Sequence, residues 1–253
     1  GVSLVISVVY LRRKEFLFDF KLKSFVVRKD KLAVILKVGL PTAVQMAVVN
    51  ISYLLITGML NTFGVSVAAA SGIGLKINTM AGMPCWAIGQ AVTTMAGQNM
   101  GAQNVDRVKK TAKSGLILNL AVTFAAVAAV QIGSEHLIML FDPASADVVR
   151  DGVLYLRICC SANSLVYAVM YTFDSFAIGV GSANIAMCNA FLDAMILRLP
   201  VCWLLAFPLQ MGFAGVYIGQ ALSPVLPAVV GTVYFLRGKW TAKKLIGGAS
   251  GKK

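Results

Sequence analysis

Apolar residues run along this chain in long blocks rather than in alternation with polar ones. Six blocks are long enough to cross a bilayer, whose hydrocarbon core takes about 20 apolar residues as an α-helix. They fall at 32–60, 65–97, 111–133, 152–178, 183–207 and 212–236. The short period-two segments of a β-barrel are not visible. The expected fold is all-α, a polytopic transmembrane helix bundle. The second block carries Gly72, Gly74, Gly82, Pro84 and Gly89. It is expected to bend, or to unwind where neighbours satisfy the freed backbone groups. The run from Gly179 to Ala183, with a second glycine at Gly181, fits a tight turn between two spans better than a phosphate cradle.

Ahead of these blocks, residues 1–11 are apolar but too short to span, and Arg12, Arg13 and Lys14 follow them. A secretory signal carries its basic residues before the apolar run. Residues 1–11 are therefore expected to be the end of a truncated transmembrane helix. Residues 12–31 mix phenylalanines with lysines and read as a basic amphipathic linker in the headgroup region. The six-helix membrane region is then 32–236, and 237–253 forms a basic tail.

Charge gives these spans a direction. The linker through Lys37, the loop holding Arg107, Lys109, Lys110 and Lys113, and the tail hold nineteen of the 23 basic residues. With six spans, all three regions lie on one side, which the positive-inside rule makes cytoplasmic. The loop on the other side holds Glu135, Asp142, Asp147 and Asp151. The expected setting is a cell inner membrane or plasma membrane, crossed several times. Topology explains the net charge of +13, so no nucleic-acid partner is implied. Composition agrees: 58% of residues are hydrophobic, 13% are charged and mean hydropathy is +0.79, against roughly 25% charged residues in soluble domains.

The informative side chains are those that lipid disfavours. Lys76, Arg157, Asp174, Asp193 and Arg198 lie in or near the spans, and each costs roughly 2.5–3.5 kcal/mol at a helix centre unless a partner or cavity receives it. Asn163, Tyr167, Tyr171 and Asp174 share one helical face. That stripe is either the wall of a wet cavity or interhelical hydrogen bonding. Asp174 either reaches the nearby interface or binds a proton, sodium or a cationic substrate. Gln45, Asn50, Tyr53 and Thr57 add polar groups to the first span. Lys76 and Asp193 enter from opposite sides to similar depth and are expected to meet near the midplane. Arg198 anchors at the outer interface or pairs with an acid. The five cysteines lie in apolar stretches with no metal-ligand spacing, and His136 is expected in an external loop. No catalytic residues, metal site or cofactor are expected, because no hydrolytic, zinc or P-loop motif is present.

An ordered set of short motifs adds a resemblance. Lys37-Val-Gly-Leu-Pro-Thr-Ala-Val-Gln45 opens the first span. Pro84 precedes Ala87-Ile-Gly-Gln-Ala91, Gly97-Gln-Asn-Met-Gly-Ala102 and Arg107. Leu140-Phe-Asp142 precedes Tyr155-Leu-Arg157, and Gly179-Val-Gly181 precedes Arg198-Leu-Pro200. From about residue 31 to 236 this order resembles the C-terminal half of the multidrug and toxic compound extrusion (MATE) family. The resemblance implies a six-helix lobe of a twelve-helix transporter, completed by an N-terminal lobe. Such a protein exports drugs or organic cations in exchange for sodium or protons by alternating access. The small, cationic substrate, the coupling ion and membrane lipid are then the expected partners. Several members carry a glutamate in the helix that here reads Ala47-Val-Val-Asn50-Ile, so the resemblance leaves Asp174 as the coupling acid of this lobe, or puts that acid in the other lobe. A lipid-linked oligosaccharide or polysaccharide flippase of the same superfamily is the alternative, and a membrane-embedded enzyme a more distant one.

Overall fold

A computed structural model describes residues 1–13 and 29–242. The expected linker lies mostly outside the described residues, as does the tail from 243 onward. The chain divides into two compact units, Gly1–Leu36 and Lys37–Lys253. In the first, α1 (Val2–Arg13) is an apolar helix with Val2, Leu4 and Ile6 exposed. The division falls inside α2 (Lys29–Asn61).

The second unit continues with α3 (Val65–Gly101), α4 (Val105–Met139), α5 (Ala146–Cys159), α6 (Ala162–Gly179), α7 (Ala183–Phe191), a π-helical turn (Leu192–Arg198), α8 (Leu199–Ala206), α9 (Gly212–Leu222) and α10 (Val225–Leu236). A short 3₁₀ turn, Lys239–Ala242, follows. Among the described residues there is no strand. Lys31–Asn61, Val105–Met139, Ala183–Ala206 and Gly212–Leu236 are each long and apolar enough to cross a membrane, and α5 and α6, bent by 49° to one another, are so when taken together. The block expected at 65–97 forms the helix α3 but falls short of that apolarity. Lys76, Asn78 and Thr79 interrupt it. Helix α3 packs against α4, α5 and α6, while Lys76 itself is exposed.

Several expectations need correction. Of the two outcomes expected for α3, unwinding does not occur, because the helix is continuous through Pro84. Its glycines serve close packing: a Cβ on Gly74 would collide with the Tyr155 ring, and one on Gly89 with the Tyr171 ring. The block at 152–178 is not one helix. It breaks at Cys160 and Ser161, where two side chains take over the backbone bonds. Gln131 of α4 donates through Nε2 to the Leu156 carbonyl at 2.9 Å and to that of Cys160. Asn163 Nδ2 donates to the Cys159 carbonyl at 3.1 Å, while its Oδ1 accepts the Ser161 N–H at 3.2 Å. His136 sits in the last turn of α4 rather than in a loop, because that helix runs six residues past 133.

The turn between α6 and α7 forms where the glycines suggested it. Gly181 has φ +74°, a left-handed conformation that lacks steric cost only for glycine. Gly179 lets α6 approach α3, since a Cβ there would come 2.5 Å from the Thr93 carbonyl oxygen. The folded region also extends beyond 236. Trp240 is 1% exposed, packs edge-on against Phe176 at 4.9 Å between centroids, and donates its indole N–H to the Phe235 carbonyl at 3.0 Å.

Truncating a fully buried aromatic costs about 3–5 kcal/mol. Trp240→Ala should therefore lower the thermal unfolding midpoint of the detergent-solubilised protein clearly. Trp203→Ala, at a side chain 53% exposed, should leave it nearly unchanged.

Candidate functional site

The second unit holds a cavity of about 100 Å³. Tyr53 of α2, Asn78 and Trp86 of α3, Thr123 of α4, Asn163 and Tyr167 of α6, Arg198 and Gln220 are among its lining residues. Among the described residues, Arg198 is its one charged lining residue. The break between α5 and α6 places Asn163 at the wall, so the amide that mends the backbone also faces the cavity.

Arg198 is buried, 4% exposed, and is held from three directions. Its Nη2 donates to Asp193 Oδ2 at 2.5 Å, its Nη1 to Ser52 Oγ of α2 at 3.2 Å, and its Nε to Ser223 Oγ at 3.3 Å. The guanidinium carbon stands 4.8 Å from the Tyr53 ring centroid, a cation–π contact. Helical geometry explains how Asp193 reaches it. In an α-helix, residues five apart point about 140° away from one another, at roughly 100° per residue. The i→i+5 bonding of a π-helix sets them nearly one above the other. The turn Leu192–Arg198 is π-helical and has the acid near one end and the base at the other.

This pairing corrects the expected meeting of Lys76 with Asp193. Lys76 is exposed on α3, and Arg157 is exposed on α5. Of the two alternatives for Arg198, pairing with an acid is the one observed. Asp193 Oδ1 is buried without a hydrogen-bond partner, so the carboxylate is only half used.

The stripe on α6 divides between cavity and packing. Tyr167 stacks on Tyr171 at 6.0 Å, but only Tyr167 and Asn163 line the cavity. Tyr171 lies over Gly89. Asp174, 4% exposed, accepts a 2.7 Å bond at Oδ1 from Asn189 Nδ2 of α7, which also points at the Pro227 carbonyl at 3.4 Å. Neighbouring groups on α6 tie it to other helices. Thr172 accepts from Asn119 of α4 at 2.9 Å, and the Ser175 carbonyl accepts from Thr93 of α3 at 2.9 Å. On α2, Tyr53 joins the site, whereas Gln45 is half-buried away from the lining and Asn50 is exposed, bonding the Met46 carbonyl at 2.8 Å.

Sequence reasoning missed Gln220. Its Nε2 is buried without a partner, and it lines the cavity from α9. A signal was present, since it is the one amide residue in the whole span 212–236.

Removing one member of a buried ion pair strands the other charge, at a cost of about 3–5 kcal/mol. Arg198→Leu should therefore destabilise the protein strongly in thermal unfolding. Adding Asp193→Leu to it should recover part of the loss. A double variant no better than the single would mean that the pair is not what Arg198 satisfies.

Comparison with known proteins agrees with this architecture. The MatE family model matches residues 41–204. A probable multidrug resistance protein NorM of Thermotoga maritima is 25% identical over 236 residues, covering 90% of this chain and 50% of that protein. A probable multidrug resistance protein YpnP of Bacillus subtilis is 27% identical over 225 residues, covering 85% and 48%. A crystal structure of MATE in complex with MaL6 superposes with a TM-score of 0.86 at 17% identity, covering 96% of this chain and 56% of that one. The chain thus spans about half the length of the curated relatives it matches. A match across most of the bundle, with the same arrangement of helices, identifies this integral membrane protein as a member of the MatE family of multidrug efflux transporters.

Proposed function

We propose that the chain acts as one lobe of a cation-coupled exporter and that Asp174 carries the coupling ion, sodium or a proton. The observation that supports this is the isolation of Asp174. Its carboxyl is buried, its hydrogen bond comes from a neutral amide, and it has no ion pair among the described residues. An unpaired carboxylate in a low-dielectric interior is costly. A proton or a monovalent cation removes that cost, and its departure restores it. The occupied and empty states then favour different helix arrangements, which is the requirement for exchange by alternating access. Asp193 does not compete for the role, because Arg198 already compensates it.

A small drug-like molecule is the transported partner, taken up between this lobe and a second one. The cytoplasmic side is the one holding the basic segments, by the positive-inside rule. The flippase alternative is less well supported. A pyrophosphate headgroup calls for a strongly cationic cavity, and the guanidinium here is largely balanced by Asp193.

In vesicles containing the full-length protein, an imposed sodium or proton gradient should drive transport of a fluorescent drug-like aromatic, supplied as a zwitterion and as a cation. Asp174→Asn should reduce that gradient-driven component at least about tenfold while keeping fold and substrate binding. Unchanged coupled transport in that variant would remove Asp174 from the mechanism.

A further inference from the structure

Among the described residues, the cavity offers hydrogen-bond donors and no acidic lining residue to balance a cation. Arg198 has five N–H bonds. Three are taken by Asp193, Ser52 and Ser223, which leaves two without a partner among the described residues. Gln220 contributes Nε2, buried and unpartnered. Ser223 links the Arg198 side chain to the backbone of Gln220. Ser223 accepts from Arg198 Nε and donates its own hydroxyl to the Gln220 carbonyl at 3.2 Å, and both residues line the same space. The nearest acids are turned to other work. Asp193 is bonded to Arg198, Asp174 is bonded to Asn189, and neither lines the cavity. Beyond the donors, the aromatic residues Trp86 and Tyr167 belong to the lining.

We infer that this cavity selects the acceptor end of its ligand: a carboxylate or carbonyl oxygen seated between Gln220 Nε2 and the Arg198 guanidinium, with a planar ring against Trp86 and Tyr167. The substrate class is then a zwitterion or a carbonyl-bearing aromatic, rather than a bare organic cation. The inference deepens the exporter reading and rests on it in one respect, that the transported molecule uses this cavity. The physical ground is asymmetric. A buried donor left unpaired is costly, so a ligand that supplies its acceptor gains what one without it forfeits. Size agrees. A cavity of about 150 Å³ holds benzene, so 100 Å³ admits a carboxylate and part of a ring, not an entire drug.

N-methylnicotinate and N-methylpyridinium make a matched pair of probes, with the same ring and the same cationic nitrogen, differing in one carboxylate. Binding to the full-length protein in nanodiscs is read from Trp86 emission, as the component lost in Trp86→Phe. N-methylnicotinate should bind at least about tenfold more tightly. Gln220→Leu should shrink that ratio to threefold or less. Gln220→Glu, close in shape but presenting a carboxylate, should invert it and also serves if the leucine variant fails to fold. Equal binding of the two probes by the unmodified protein would overturn the inference. So would an unchanged ratio in a folded Gln220→Leu variant, and a preference for N-methylpyridinium would reassign the cavity to cations. The measurement uses no gradient. A preserved ratio beside uncoupled or absent export would therefore count against the exporter reading and leave the recognition site standing.

Discussion

A bilayer core supplies no hydrogen bonds, so each interruption of a membrane helix has to be mended from within the protein. This chain contains several such interruptions, and its site is built from the repairs. Gln131 and Asn163 close the gap between α5 and α6, and Asn163 thereby arrives at the cavity wall. The π turn after α7 carries one residue more per bonded ring than an α-helix, and that extra step brings Asp193 under Arg198. At the junction of α9 and α10, Ser223 bonds back to Gln220 and receives Arg198. The wall of this cavity is a by-product of how the backbone is kept satisfied.

Arg198 is the point where these repairs meet. Through Ser52 and Tyr53 it reaches α2, through Asp193 its own turn, and through Ser223 the last helices. A buried guanidinium survives there because its charge is matched and three of its donors are occupied. Such a pair is weak evidence for stability. It is better suited to fixing which segments lie against which, a role that a hydrophobic substitute of equal volume would not fill. Asp174 is a contrasting case of similar burial, with a neutral partner and no base.

Much of the bundle was legible in the sequence because apolar block length acts on whole helices. The turn at Gly179–Gly181 was legible because positive φ has few residue solutions. The breaks were not. Residues 159–163 are as apolar in outline as an unbroken span, and the groups that permit the break include Gln131, from a different helix. The Lys76–Asp193 pairing failed for a related reason. It matched depths while leaving out rotation, and one π turn changes which side chains face each other. The polar stripe on α6 was correctly placed on one face, yet neighbouring helices divide that face between a cavity and interhelical bonds. Gln220 stood out as a lone amide in an apolar span, but whether its donor has a partner is a property of the fold alone.

The glycines of α3 carry a consequence for how this lobe can vary. Gly74 leaves room for Tyr155, and Gly89 for Tyr171, with no slack for even a methyl group. Each pair behaves as a single locus with a fixed total volume. Neither glycine can drift to alanine while its tyrosine stays in place, and a tyrosine that shrinks opens a void beside a residue able to grow into it. Divergent copies of this lobe should therefore change these positions two at a time, and the helix nearest the cavity is constrained less by chemistry than by shared space.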